Sequence, residues 1–246
     1  MKKLLVVLMS VLMVMPGIFV HAQQPPPAQG SLEYGVPLES VLTDTAPEVA
    51  FTFEGAEGDV VVVEMYPVEQ YTEGNITASM VKLFDPSQTQ VGAEDSGFFE
   101  NVRYVAELAV SGKHTIVATY PPDSTDFQFG KFFIAVHKAV DLSAGEISDE
   151  MTSDDRRYYT VTSEKSFTLD YAQTGGSFMP LLSINALGGE DNLTELGFLR
   201  GAFENASLTV DASQAPSPVF VVILERDLGD FIFNPIEVNY TLSLRK

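Results

Sequence analysis

The pattern that most restricts how this chain can fold is a pair of alternating stretches that occurs twice. In residues 111–120, His114, Ile116 and Ala118 fall on one side of an extended backbone, after a Ser111-Gly112 turn. Residues 130–136, Gly-Lys-Phe-Phe-Ile-Ala-Val, supply a second alternating run across a polar loop. A period of two puts successive side chains on opposite faces, so each run predicts a half-buried strand. Together they predict a β-hairpin that closes a folding unit. The same pair returns near the C-terminus, as residues 219–224 and 240–244.

Other segments repeat in the same order. Tyr159-Thr160-Val161 follows Phe51-Thr52-Phe53 at a displacement of 108 residues, and residues 167–171 follow 61–65 at 106. Leu182-Ser183-Ile184 follows Val81-Lys82-Leu83 at 101, Phe220 follows His114 at 106, and Tyr240 follows Phe132 at 108. Displacements that drift by a few residues are what loop insertions produce between duplicated units. Each unit of ~100 residues has short strands and frequent turns, the signature of an antiparallel sandwich. Glycines in the 55–59 turn suit positive φ, residues 60–65 are β-branched enough for a central strand, and Asp85-Pro86 stops the strand before it. The segment 191–199 predicts a short helix or turn. The expected fold is all-β: two tandem antiparallel jelly-roll-like β-sandwiches, residues 31–138 and 139–246, joined by a short connection around residues 139–145.

Residues 1–22 read as a secretory signal. Lys2 and Lys3 precede an apolar run at 4–15, Pro16-Gly17 breaks it, and Val20-His21-Ala22 offers a small-residue cleavage site. Twelve apolar residues fall short of the about 20 a spanning helix needs, so cleavage and export are expected, with no membrane insertion afterwards. Residues 23–30 form a Pro-rich spacer, extended and unable to pack. The destination is the medium, the periplasm or the cell envelope.

The chain carries 34 acidic and 14 basic residues, a formal charge of −20 that becomes −22 once Lys2 and Lys3 are removed. Such a surface repels phosphates, which argues against nucleic acid as a partner. The absence of Cys excludes a disulfide framework, a thiolate metal site and a Cys nucleophile.

The first unit resembles the bacterial pre-peptidase C-terminal (PPC) domain, a jelly-roll-like β-sandwich found beside secreted peptidases and in other exported proteins. The resemblance rests on Phe51-Thr52-Phe53, the Gly58-Asp59 turn before residues 60–65, and Leu83-Phe84-Asp85-Pro86. It continues through the acidic stretch Glu94-Asp95-Ser96-Gly97, residues 111–117, and Gly130-Lys131-Phe132-Phe133-Ile134. It spans residues 32–137 well and 141–245 loosely, through Tyr158-Tyr159-Thr160 and Tyr240-Thr241-Leu242. The family usually has Tyr where this chain has His114, and the second unit lacks the Gly-Asp turn. With no peptidase domain attached, the resemblance implies an accessory or binding role.

The candidate sites are few. His114 alternates with Ile116 and Ala118 and reads as a core residue, and His137 reads as a surface residue beside Lys138. There is no Gly-x-Ser-x-Gly and no His-Glu-x-x-His. Carboxylates are too numerous for any pair to signal glycoside hydrolysis. Ca²⁺ seeks hard oxygens, and Glu94 with Asp95 is the favoured metal pair because it falls in the family's acidic stretch. Other acidic loops are Asp123 with Asp126, Asp154-Asp155, Glu190-Asp191, and Asp227 with Asp230. Phe98-Phe99, Phe127 with Phe129, and Phe198 with Phe203 read as packing under loops rather than as a sugar-stacking strip. Sequons stand at Asn75, Asn192, Asn205 and Asn239. The expected function is therefore an exported, non-catalytic binding or accessory protein for an extracellular protein or polysaccharide. The alternative is an extracellular hydrolase, or a hydrolase inhibitor, acting through loop carboxylates.

Overall fold

A computed structural model describes residues 24–246 apart from 69–75, 77, 97–100, 123–128, 144, 153–154, 177–178, 189–191, 202–204 and 227–236. The stretch read as a secretory signal, residues 1–22, therefore lies outside the described residues. Among the described residues the first half holds nine strands: β1 (Ala28–Ser31), β2 (Leu38–Leu42), β3 (Val49–Gly55), β4 (Val60–Pro67), β5 (Met80–Phe84), β6 (Gln90–Asp95), β7 (Val102–Glu107), β8 (Gly112–Thr119) and β9 (Gly130–Lys138). The second half holds nine more: β10 (Val140–Asp141), β11 (Glu146–Thr152), β12 (Arg157–Thr162), β13 (Phe167–Gly175), β14 (Pro180–Leu187), β15 (Leu193–Arg200), β16 (Asn205–Val210), β17 (Val219–Arg226) and β18 (Glu237–Arg245).

These strands make four sheets. Sheet 1 runs β1-β3-β8-β5-β6 and sheet 2 runs β2-β9-β4-β7; sheet 3 runs β10-β12-β17-β14-β15 and sheet 4 runs β11-β18-β13-β16. Adding nine to each strand number turns the first two orders into the last two. The ladder registers agree with the sequence displacements as well. Phe53 sits opposite His114 just as Val161 sits opposite Phe220, and Leu83 opposite Ile116 just as Ile184 opposite Val222.

Each half is an all-β sandwich closed over its own core. Phe51, Phe53, Leu83 and Ile116 from sheet 1 meet Val61, Val63, Met65, Phe132 and Ile134 from sheet 2. In the second half Tyr159, Val161, Ile184 and Phe220 meet Leu169, Tyr171, Tyr240 and Leu242. Burying one Leu, Ile, Val or Phe side chain contributes about 1.5–3 kcal/mol, and this is what each sandwich trades against chain entropy.

Three expectations need correction. The stretches 111–120 and 130–136 do not form a hairpin: β8 pairs with β3 and β5, whereas β9 pairs with β2 and β4 in the facing sheet. Alternation shows that both bury one face, and it is silent on which strand each one pairs with. The segment 191–199 is mostly strand β15, because β14 offers it a ladder from Leu193 to Arg200, interrupted by one bulge at Leu196. The Pro-rich spacer also packs at its end, since Ala28–Ser31 pairs in parallel with β3. The Gly58 turn matches its reading, with φ at 83° and Asp59 accepting from the Ala56 amide at 3.1 Å.

His114 is a core residue, 1% exposed and stacked on Phe53 with ring centres 5.3 Å apart. Its Nδ1 lies 3.0 Å from the Gly112 carbonyl oxygen. Because Phe220 fills the equivalent place, His114→Phe is expected to stay within about 1.5 kcal/mol of wild type in urea denaturation. His114→Ala, which leaves a cavity, is expected to lose about 3 kcal/mol. Equal losses in the two variants would contradict the assignment.

Candidate functional site at the junction of the two sandwiches

Two strands that are apolar on both faces build the junction. Val61 and Val63 of β4 enter the first core, so Val60 and Val62 point outward from sheet 2. Phe220, Val222 and Leu224 of β17 enter the second core, so Val221 and Ile223 point outward from sheet 3. These outward residues join Val105, Ala139 and Tyr158 in a third buried cluster, so sheet 2 of one sandwich packs on sheet 3 of the other. One residue, Ala139, separates β9 from β10, and its amide donates to the Val60 carbonyl at 2.9 Å.

Beside this apolar patch lies a half-buried ion network shared by the two halves and centred on Glu64. Glu64 is 2% exposed. Its Oε1 takes Arg103 Nε at 3.1 Å and Arg156 Nη1 at 3.4 Å, and its Oε2 faces His137 Nε2 at 3.3 Å. Glu225 Oε2 closes the ring, 3.1 Å from Arg103 Nη2 and 3.0 Å from Arg156 Nε. Tyr158 packs between them, with Arg103 5.6 Å over its ring and the His137 ring 5.1 Å away. Burial alone would push the Glu64 carboxyl up; the His137 hydrogen bond and the Arg103 and Arg156 charges outweigh it and hold the group well below the usual carboxylate range. Burial, with Glu64 nearby, pushes the Tyr158 hydroxyl well up.

A hydrogen-bonded hook completes the junction. The Asn192 side chain accepts from the Val105 amide at 2.8 Å and donates to the Val105 carbonyl at 2.8 Å. Val105 lies on β7, the edge of sheet 2, so one carboxamide satisfies both backbone groups as a neighbouring strand would. Asn192 holds φ at 60°, a conformation Asn tolerates better than most residues. Sequence reading marked this residue only as a sequon.

Next to the network is a crevice of about 210 Å³, lined from both halves by Tyr34, His137, Lys138, Asp149, Arg156 and Tyr158 among others. Asp149 Oδ2 there accepts from Tyr159 and Tyr240 and pairs with Arg157 Nε at 3.3 Å. Burial raises both tyrosine hydroxyls. Every charge named at this junction already has an opposite partner within the chain, which fits a structural seam.

The sequence-derived metal pair lies on a strand. Glu94 and Asp95 are the last two residues of β6, not a loop, and adjacent strand residues point to opposite faces. Among the described residues no three His, Asp or Glu side chains come close enough to hold a metal ion. Asp155 is occupied by the Thr152 amide at 2.9 Å and by Arg157. Asp123, Asp126, Asp154, Glu190, Asp191, Asp227 and Asp230 lie outside the described residues, as do Phe98, Phe99, Phe127, Phe203 and Asn75. Phe198 is 54% exposed on β15 rather than packed under a loop, and Phe129 meets Tyr120 edge-on at 5.9 Å. His137 is no simple surface residue, since it reaches across to the network.

No family model matches this sequence, and no curated protein does. Among solved structures, the CUB1-EGF-CUB2 domain of human MASP-1/3 aligns over 83% of this chain and 98% of that chain, at 11% identity and a TM-score of 0.21. A score of that size carries no argument about fold or function.

Glu64→Gln leaves Arg103 and Arg156 facing a neutral group and is expected to cost about 3–5 kcal/mol at pH 7. A lowered carboxyl contributes stability that is complete above its unfolded value of 4.5 and is lost as pH falls toward the folded value. The gap between wild type and Glu64→Gln in urea denaturation should therefore narrow from pH 5 to pH 2; a constant gap would contradict the charge assignment. Asn192→Ala should cost about 1–3 kcal/mol and release the Val105 amide to hydrogen exchange, and unchanged protection would remove the hook. Glu94→Gln combined with Asp95→Asn should leave any calcium-induced change in melting temperature intact. A lost response would restore that pair as a calcium site.

Proposed function

We propose that this chain is an exported, non-catalytic binding or accessory protein whose two sandwiches act as one rigid presenting unit. The observation that carries the reading is the junction network. It gathers two arginines, a histidine and a second acid around one buried carboxylate, and its chemistry suits joining more than turnover. A carboxylate held as low as Glu64 is a weak base and is ionised at neutral pH, so it neither takes nor gives a proton readily. His137 is occupied by the same carboxylate, and both arginines bridge two acids.

Export through a cleaved leader rests on residues 1–22, and the accessory role draws on the resemblance of residues 32–137 to the PPC domain. The partner class is an extracellular protein or polysaccharide. The strongly acidic surface disfavours anionic partners, because like charges across an interface cost affinity.

The test is a substrate screen on the protein from residue 23 onward, against peptide and glycan substrates at pH 5 to 8. The expected result is no turnover above buffer. Turnover that disappears on a single Asp or Glu substitution would overturn the binding role.

A further inference from the structure

The crevice beside the ion network takes its walls from both sandwiches. Tyr34, His137 and Lys138 come from the first, and Asp149, Arg156, Arg157 and Tyr158 from the second. The seam that joins the sandwiches therefore also holds these walls at a fixed spacing. Ligands favour such clefts between domains. Its volume of about 210 Å³ is below the range of about 300–1,000 Å³ that drug-sized ligands occupy, so it has room for one small ring. Tyr34 at 38% and Val140 at 51% remain exposed, which leaves its mouth open to solvent.

The lining restricts what that ring can be. Its charged groups are already paired: Lys138 with Asp59 at 2.7 Å, Arg157 with Asp149 at 3.3 Å, and Arg156 with Glu64 and Glu225. A charged ligand would have to unseat one of these pairs. An apolar ligand would dry Lys138, Arg157 and Asp149, whose side chains are a third to a half exposed, and return no hydrogen bonds. A neutral ligand rich in hydroxyls does neither, because it accepts from the lysine and the arginine and donates to the carboxylate. Two tyrosines add to the pattern. The Tyr34 ring is set edge-on to Phe53 at 6.0 Å and keeps part of its surface free. The Tyr158 hydroxyl is buried and has no hydrogen-bond partner among the described residues, a gap that a ligand hydroxyl can fill.

We propose that this crevice binds one neutral sugar ring of an extracellular polysaccharide. The apolar C–H face of the ring lies against Tyr34, and its hydroxyls meet Lys138, Arg157, Asp149 and Tyr158. A peptide is the poorer occupant. Its side chains are charged, apolar or carry a single hydroxyl or amide, so none joins an apolar ring face to several hydroxyls. The site rests on the binding role proposed above and chooses the polysaccharide of its two partner classes.

The probes are glucose, galactose, mannose and N-acetylglucosamine, with glucuronate and glucosamine as charged counterparts. Each is titrated into the protein from residue 23 onward and followed through its backbone amide NMR signals. At least one neutral sugar should shift the Tyr34, Lys138 and Asp149 amides, and bind more tightly than either charged counterpart. Tyr34→Ala should weaken that sugar about fivefold, the size of one lost ring contact. Tyr158→Phe should weaken it by a similar factor while melting no lower than wild type, because the hydroxyl it removes has no partner in the chain. No shift at these amides with any neutral sugar, or affinity unchanged in both variants, overturns the site. So does tighter binding of a charged counterpart, or of a glycine–serine peptide, which would give the crevice to an ion or to a protein. A failure here without turnover in the substrate screen removes the site alone, whereas turnover there removes the binding role beneath it.

Discussion

The seam between sheets 2 and 3 is the contact on which the rest of this molecule depends. A strand that is apolar on both faces must have both faces covered. The run from Val60 to Val63 meets that demand only if a second layer lies outside the first sandwich, and the run from Val219 to Leu224 makes the same demand from the other side. Each sandwich supplies the cover the other needs. Without the seam, Val62 and Val221, both fully buried, would meet water.

The polar part of the seam does a different job. Apolar contacts between flat sheets tolerate sliding and rotation, whereas charged and hydrogen-bonded groups accept few geometries. Glu64, Arg103, Arg156 and Glu225 each contact two partners or more, one of them across the boundary, and Asn192 meets Val105 at both backbone atoms. Buried ion pairs often add little net stability over an apolar replacement, and their best-attested role is to fix a register. That role fits here. The duplicated fold uses its second copy of the face differently: sheet 4, the counterpart of sheet 2, pairs Thr168 with Thr209 where sheet 2 pairs Val62 with Val105. One face became a seam and its duplicate became a solvent surface.

Much of the fold was legible in the sequence, and the reason is local. Alternation at His114, Ile116 and Ala118 reports burial of one face, and the displacements that linked Phe51 to Tyr159 survive as equivalent ladder positions. What alternation does not carry is pairing, so β8 and β9 looked like a hairpin although they lie in facing sheets. The seam was half legible. The β-branched run at residues 60–65 was read as a central strand, but its double-sided burial also announced a partner layer. His137 and Asn192 were not legible as seam residues, because their partners Glu64 and Val105 are 73 and 87 positions away. Nothing local marks an amide that substitutes for a strand. The acidic pair Glu94-Asp95, read as part of a loop, proves to end strand β6, since alternation this short does not mark where a strand stops.

The central claim is that two duplicated sandwiches are held as a single rigid body by this seam. Residual dipolar couplings of the backbone amides, measured in one alignment medium for residues 28–138 and 140–245 separately, test it directly. One common alignment tensor, in magnitude and orientation, is the predicted result. Two tensors that differ in magnitude would mean that the sandwiches reorient independently and that the seam does not hold them.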